Sequence, residues 1–175
     1  MTFRPEVSPN RSEIDPTISQ AINRLATGKG EWPLLIYGPV GTGKTYAAVA
    51  ALDRFGGVYH TASGFPEKLI LADDRGIQWH RDGESGVWRS ENLWRHIRLA
   101  ALVVVDELGS RGVPTPTQKA RLQELMDSRE GRPLILISNL TPEELCGIYD
   151  ERIMSRALRG TLAKVEGQDR RIFKS

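Results

Sequence analysis

Short apolar runs alternate with amphipathic stretches along this chain, and the alternation sets the expected fold. Ile18, Ile22 and Leu25 recur at helical spacing after Asp15-Pro16, and Gly28 and Gly30 end the run. This predicts a first helix over 16–27. PLLIY (33–37) is continuously apolar, the pattern of a strand buried on both faces. It leads into GPVGTGKT and then YAAVAALDRF, an alanine-rich helix. GVYHT (57–61) reads as a second strand, FPEKLILA as a helix and ENLWRHIRLA as an amphipathic helix. Between those two helices lies a polar segment, DDRGIQWHRDGESGVWRS. ALVVVDE (101–107) is a β-branched strand ending in two carboxylates, followed by the loop GSRGVPTPT.

Thr115, Pro116 and Gln118 form a helix-start signature: N-cap, proline at the first position, capping-box partner. That helix turns Leu122, Leu125 and Met126 inward and stops near Gly131. PLILIS (133–138) is another buried strand, and Thr141, Pro142 and Glu144 repeat the start signature. YDERIMSRALRG (149–160) reads as a helix, and TLAKVE with RRIF as a last strand or hairpin. Strands alternating with helices predict an α/β fold, a doubly wound, mostly parallel five-stranded sheet covered on both faces.

Composition narrows the class without naming a function. The 175 residues are 39% hydrophobic and 26% charged, ordinary for a soluble domain with its own core. The net charge of +2 is unevenly spread. From Arg152 onward seven basic residues face two acidic ones, a net of +5, so the first 151 residues sum to −3. A basic end suits phosphate, of nucleotide or of DNA, and equally a solvated mixed-charge tail. Cys146 is the only cysteine, which fits a reducing, cytoplasmic setting. No apolar run approaches the ~18 residues of a membrane span, so no membrane partner is expected. Residues 1–15 read as a flexible leader and 16–175 as one domain.

GPVGTGKT, Gly38 to Thr45, fits the phosphate-loop pattern G-x-x-x-x-G-K-[ST] with a strand before it and a helix after. Its glycines let successive N–H groups turn inward onto phosphate oxygens, and the following helix adds its positive end. Lys44 reaches the β- and γ-phosphates, and the Thr45 hydroxyl can ligate magnesium. The expected nucleotide contacts are Gly38, Pro39, Val40, Gly41, Thr42, Gly43, Lys44, Thr45 and Tyr46.

Asp106 sits at the C-terminal end of a buried strand, the edge where open α/β sheets bind ligands. It can hold magnesium through water, and Glu107 is placed to act as general base on an attacking water. Asn139, at the end of the next strand, either hydrogen-bonds that water or serves the turn into TPEEL. Arg152 and Arg156 lie four apart in sequence, on one helix face. Like charges there repel, so either an external anion or the neighbouring Asp150 and Glu151 must answer them. Asp73 to Trp94 holds Trp79, Trp88 and Trp94 among His80, Arg81, Arg89 and Arg95. Interleaved aromatics and cations suit single-stranded nucleic acid, but five acids weaken that reading, and tryptophans packed on the core are the alternative.

GPVGTGKT, LVVVDELG, LILISNLTPEEL and YDERIMSRALRG resemble, in order and spacing, the AAA+ ATPases. They resemble more closely the helicase-loader branch of DnaC and DnaI type, with the transposition ATPase IstB nearby. The resemblance implies a P-loop NTPase of AAA+ core type with ATP and Mg²⁺ as cofactors. Gly38 to Thr45 would be Walker A, Asp106-Glu107 Walker B, Asn139 the first sensor and Arg156 an arginine finger. That finger would complete the site of a neighbouring copy in a head-to-tail homo-oligomer, with Arg152 its companion. Implied partners are single-stranded DNA and a replicative helicase, or a transposase for an IstB-like regulator. The first strand opens at Pro33 and the sequence stops soon after the last. No helicase-gripping N-terminal domain and no C-terminal lid domain are therefore expected. A small-molecule kinase and a weakly hydrolysing adaptor are the competing readings, and Glu107 with the arginine pair argues against the first.

Overall fold

The computed structural model describes residues 14–81 and 83–167, Arg81 by its backbone alone. Most of the expected leader and the whole RRIF segment lie outside the described residues. In chain order the elements are α1 (Pro16–Ala26), β1 (Leu34–Tyr37), α2 (Lys44–Phe55), β2 (Val58–Thr61), α3 (Gly64–Asp74), β3 (Ile77–Arg81) and β4 (Glu84–Trp88). They continue with α4 (Ser90–Leu99), β5 (Val103–Leu108), α5 (Pro116–Ser128), β6 (Leu134–Ser138), α6 (Pro142–Cys146), α7 (Glu151–Arg159) and β7 (Thr161–Lys164). Five strands form one sheet in the order β2-β5-β6-β1-β7, every neighbouring pair parallel.

Period-two alternation divides each central strand between two cores. Leu34, Ile36, Val104, Ile135 and Ile137 meet α1 and α2 on one face. Leu35, Val103, Val105, Leu134 and Leu136 meet α3, α4, α5 and α7 on the other. Continuous apolar runs are therefore what this sheet requires. Each fully buried Leu, Ile or Val contributes about 1.5–3 kcal/mol. The helices start where their capping residues put them. Thr115 and Gln118 close a reciprocal capping box at α5, as do Thr141 and Glu144 at α6. The Asp150 carboxylate accepts the Ile153 amide at 3.1 Å and caps α7.

The polar segment after α3 forms an antiparallel hairpin, with Ile77 opposite Trp88 and Trp79 opposite Gly86. Its tryptophans are packed. Trp94 on α4 is buried edge-on against Phe65, ring centroids 5.1 Å apart. Trp88 lies 4.5 Å from the His96 ring. The Trp79 indole covers Gly86 so closely that an added Cβ there would lie 2.8 Å from its Nε1. The core-packing alternative thus accounts for Trp88 and Trp94, whereas Trp79 packs on its own hairpin. β7 is a strand parallel to β1, Leu34 paired with Thr161. The crossover through α7 brings it back in the same direction as β1.

Candidate functional site

The site is assembled at the C-terminal edge of three adjacent strands, β1, β6 and β5. The loop leaving β1 must pass close to the chain beyond β7. A Cβ on Gly38 would lie 2.1 Å from the Val165 carbonyl oxygen, and Gly38 holds φ +143°. Gly43 caps α2 in the left-handed region at φ 89° and offers no side chain to the helix start. The amides of Gly41, Thr42 and Gly43 have no hydrogen-bond acceptor among the described residues. A turn of unpartnered N–H groups leading into a helix N-terminus is a cradle for anionic oxygens.

Lys44 is buried at 5% exposure, and its ammonium folds back over the loop. Nζ donates to the carbonyls of Gly38 at 2.7 Å and Pro39 at 2.5 Å and to the Thr42 hydroxyl at 3.3 Å. Thr42 is itself buried and donates to the Pro39 carbonyl at 2.9 Å. Val40 stands exposed at the loop tip, and Tyr46 is half-buried one residue beyond Thr45.

Thr45 joins this loop to the acidic strand end. Its hydroxyl donates to Asp106 Oδ2 at 2.6 Å. Asp106 is 4% exposed and takes two further bonds, from the Glu107 amide to Oδ1 at 2.6 Å and from the Tyr59 hydroxyl to Oδ2 at 2.8 Å. Burial, reinforced by the Asp106 and Glu107 carboxylates, pushes the Tyr59 phenol far above its usual range. It stays protonated and acts as a donor.

Strict alternation would turn Glu107 into the α3–α5 core. Instead the β5–β6 register shifts between Val105 and Leu108, and Glu107 takes φ 62°. Such a conformation costs about 1–3 kcal/mol in a non-glycine residue. Three contacts hold it: the Glu107 amide on Asp106, and the Ser110 amide and hydroxyl on the Glu107 carbonyl at 3.2 and 2.9 Å. The result is an exposed carboxylate beside a buried one.

Asn139 is exposed, one residue past β6. The turn into TPEEL, the alternative role for Asn139, is held by Ser138, which donates to the Leu108 carbonyl at 2.8 Å and accepts the Leu140 amide at 3.0 Å.

Arg156 does not join this group within the chain. α7 packs on the α3–α5 face, whereas α2 packs on the opposite one. Arg156 Nε pairs with Asp127 of α5, and its NH1 donates to the Arg152 carbonyl at 3.1 Å. Arg159 pairs with Glu130 of the same helix end at 3.5 Å. Asp127 thus takes the place that sequence proximity gave to Asp150 and Glu151. Arg152 is exposed and makes no ion pair among the described residues.

Two functional or structural side chains gave no local signal. Tyr59 reaches Asp106 only because β2 lies next to β5. Arg129, 2% exposed, sends its guanidinium to the carbonyls of Ile97, Ala100 and Pro133 at 3.1, 2.9 and 2.9 Å. It satisfies the carbonyl end of α4, which has no intrahelical donors. A concavity of about 490 Å³ bounded by Trp88, Arg95 and His96 lies at the opposite edge of the sheet, and no phosphate-loop residue lines it.

Comparison with known proteins agrees with this sheet topology. The fold is that of an AAA+ P-loop NTPase core. No protein-family model matches the sequence. The chain is 27% identical over 146 residues to the chromosomal replication initiator protein DnaA of Ureaplasma parvum, covering 79% of this chain and 30% of that protein. A structure of replication initiator DnaA bound to AMPPCP and single-stranded DNA superposes with a TM-score of 0.72 at 19% identity, over 95% of this chain and 52% of that one. The crystal structure of DnaI gives 0.66 at 18% identity, over 94% of this chain and 96% of that one. The chain therefore spans under a third of the curated DnaA and about half of the DnaA structure. This AAA+ core resembles both DnaA and DnaI, without distinguishing them. No helix among the described residues is long and apolar enough to cross a membrane.

Proposed function

We propose that this chain is a magnesium-dependent ATPase of DNA replication, of helicase-loader type, which assembles on single-stranded DNA and acts on a replicative helicase. The observation that carries the ATPase reading is the 2.6 Å bond between Thr45 and Asp106. It joins the phosphate loop to the acidic strand end through two hard oxygens, the donor set magnesium favours. Among the described residues no cluster of three His, Cys, Asp or Glu side chains could hold a metal alone. That suits an ion which keeps waters and takes its remaining ligands from phosphate. Thr45 would be its direct protein ligand and Asp106 its partner through water. When bound, the ion supplies positive charge against the developing charge on the transferred phosphoryl group.

The chain's own residues divide the remaining work. The amides of residues 41–43 and the α2 terminus take the triphosphate, and Lys44 exchanges the Gly38 and Pro39 carbonyls for phosphate oxygens. Glu107 accepts a proton from the attacking water. Asn139 orients that water or the γ-phosphate. Arg156 serves the site of a neighbouring copy, since α7 and α2 lie on opposite faces of one subunit. A finger acting across subunits requires a head-to-tail interface. The DNA and helicase roles draw on the likeness to DnaA and DnaI alone.

The test is nucleotide turnover with and without single-stranded DNA, in wild type and Glu107→Gln. We expect Glu107→Gln to keep nucleotide affinity and lose turnover by about 10²–10⁴-fold. Turnover that needs a second phosphoryl acceptor, or is unchanged in Glu107→Gln, would refute the reading. Tighter binding to double-stranded than single-stranded DNA at matched salt would refute the loader assignment.

A further inference from the structure

A carboxylate offers about four lone-pair positions to donors. In Asp106 the chain itself fills three. Oδ2 accepts both the Thr45 hydroxyl at 2.6 Å and the Tyr59 hydroxyl at 2.8 Å, and Oδ1 accepts the Glu107 amide at 2.6 Å. A single position remains, and it belongs to Oδ1.

The two donors on Oδ2 differ in what supports them. Thr45 stands in the first turn of α2, just beyond a glycine-rich loop. Tyr59 stands within β2, paired with Val104 of β5, and its ring is 7% exposed among residues of the α1–α2 core. A side chain mounted on a packed strand holds its partner to a fixed geometry better than one mounted at a loop end. Nothing in the phosphate-loop pattern or in the acidic pair calls for a tyrosine here.

We propose that Tyr59 is a positioning residue for the magnesium site. Its bond to Oδ2 fixes the rotation of the Asp106 carboxylate, so that Oδ1 keeps the open position for a metal-bound water. The inference rests on the reading of Thr45 and Asp106 as that site. Tyr59→Phe removes one hydroxyl and conserves volume, so the fold tolerates it. Asp106 then keeps two donors, but Oδ2 loses the one that is anchored in the sheet.

The experiment is binding of a fluorescent ATP analogue to the full chain, titrated with magnesium and repeated in a chelator, for wild type, Tyr59→Phe and Asp106→Asn. Loss of an outer partner typically weakens metal affinity by about tenfold or more. We expect Tyr59→Phe to raise the magnesium concentration at half effect by about tenfold, with affinity in chelator unchanged. A magnesium midpoint within about twofold of wild type overturns the proposal, even if the variant melts earlier, because Tyr59 is then only a core side chain. An equal loss of affinity with and without magnesium overturns it too. If wild type shows no magnesium dependence, the metal reading fails and takes this inference with it. If Asp106→Asn shifts the midpoint and Tyr59→Phe does not, only the inference fails.

Discussion

The pair between Arg156 and Asp127 sets a testable competition. Both side chains are partly open to solvent, at 34% and 43% exposure. Ion pairs of that kind contribute about 0.2–1 kcal/mol. In the proposed assembly Arg156 must turn from its own α5 to a neighbour's phosphates, and Asp127 opposes that exchange. Asp127→Asn removes the opposition. Its effect on folding is expected to be small, at most about 1 kcal/mol by urea denaturation. Its effect on assembly is the same energy read as a ratio: at most about a fivefold fall in the protein concentration giving half-maximal DNA-stimulated turnover. Arg156→Ala should leave nucleotide affinity intact and cut stimulated turnover by about 10³-fold. The decisive assay is turnover against protein concentration, with single-stranded DNA present, for wild type and both variants. If Asp127→Asn loses turnover at saturation as Arg156→Ala does, Asp127 supports Arg156 and does not compete for it. If Arg156→Ala abolishes nucleotide binding by the isolated chain, Arg156 is structural and the cross-subunit role is wrong.

Three further outcomes follow from buried groups. His60 lies 5.1 Å from the Phe65 ring with its Nδ1 buried and unpartnered. Burial first, then Lys68 and His96, lower its pKa from 6.5 to about 3. The folded chain keeps it neutral while the unfolded chain takes up a proton, so stability falls as pH drops below 6.5. The loss is at most about 2 kcal/mol between pH 6.5 and 5, and urea titrations should show it in wild type and not in His60→Gln. Arg129→Met leaves the Ile97, Ala100 and Pro133 carbonyls without their donor. It should cost about 3 kcal/mol, a fall of roughly 10 °C in Tm, with nucleotide affinity per folded chain unchanged. Gly38→Ala sets a methyl against the Val165 carbonyl, only 2.1 Å from the ideal Cβ position. It should lower both Tm and nucleotide affinity, and an unaltered affinity would show that the loop bends independently of β7.

The features legible in the sequence were those coded locally. The phosphate loop spans eight consecutive residues and needs only a strand before it and a helix after. The capping boxes at Thr115 and Thr141 are three-residue signals, and both helices begin where those signals place them. The hairpin was also coded locally. Asp82-Gly83, a strong short-range hairpin signal, follows a run of alternating polarity, Ile77 to Arg81. Weighing the segment by its charges and aromatics hid that period. The contacts with no signal were those made across elements. Tyr59 meets Asp106 from 47 residues away, and Arg129 meets Ile97 from 32. No spacing rule joins such pairs: strand order in the sheet brings the first together, and the packing of α5 against α4 the second.

That distinction bears on how far the site can be trusted to function as one unit. The residues that would touch phosphate, Gly38 to Thr45, are contiguous, and any chain with this loop can present them. What makes the loop more than an anion cradle is the acidic pair on β5, and β5 is not a neighbour of β1. β6 lies between them. The bond from Thr45 to Asp106 therefore reaches across the end of an intervening strand, at the position where Asn139 stands exposed. Three strand ends must keep their relative heights for that bond to remain at 2.6 Å. The Ser138 hydroxyl, bound to the Leu108 carbonyl, ties the end of β6 to the shifted end of β5. Ser138→Ala should then loosen the turn carrying Asn139 and the bulge carrying Glu107 together, while the loop of β1 is untouched. The expected result is turnover lowered severalfold with nucleotide affinity retained. A variant that loses affinity and keeps turnover would show that β6 supports the cradle and not the carboxylates.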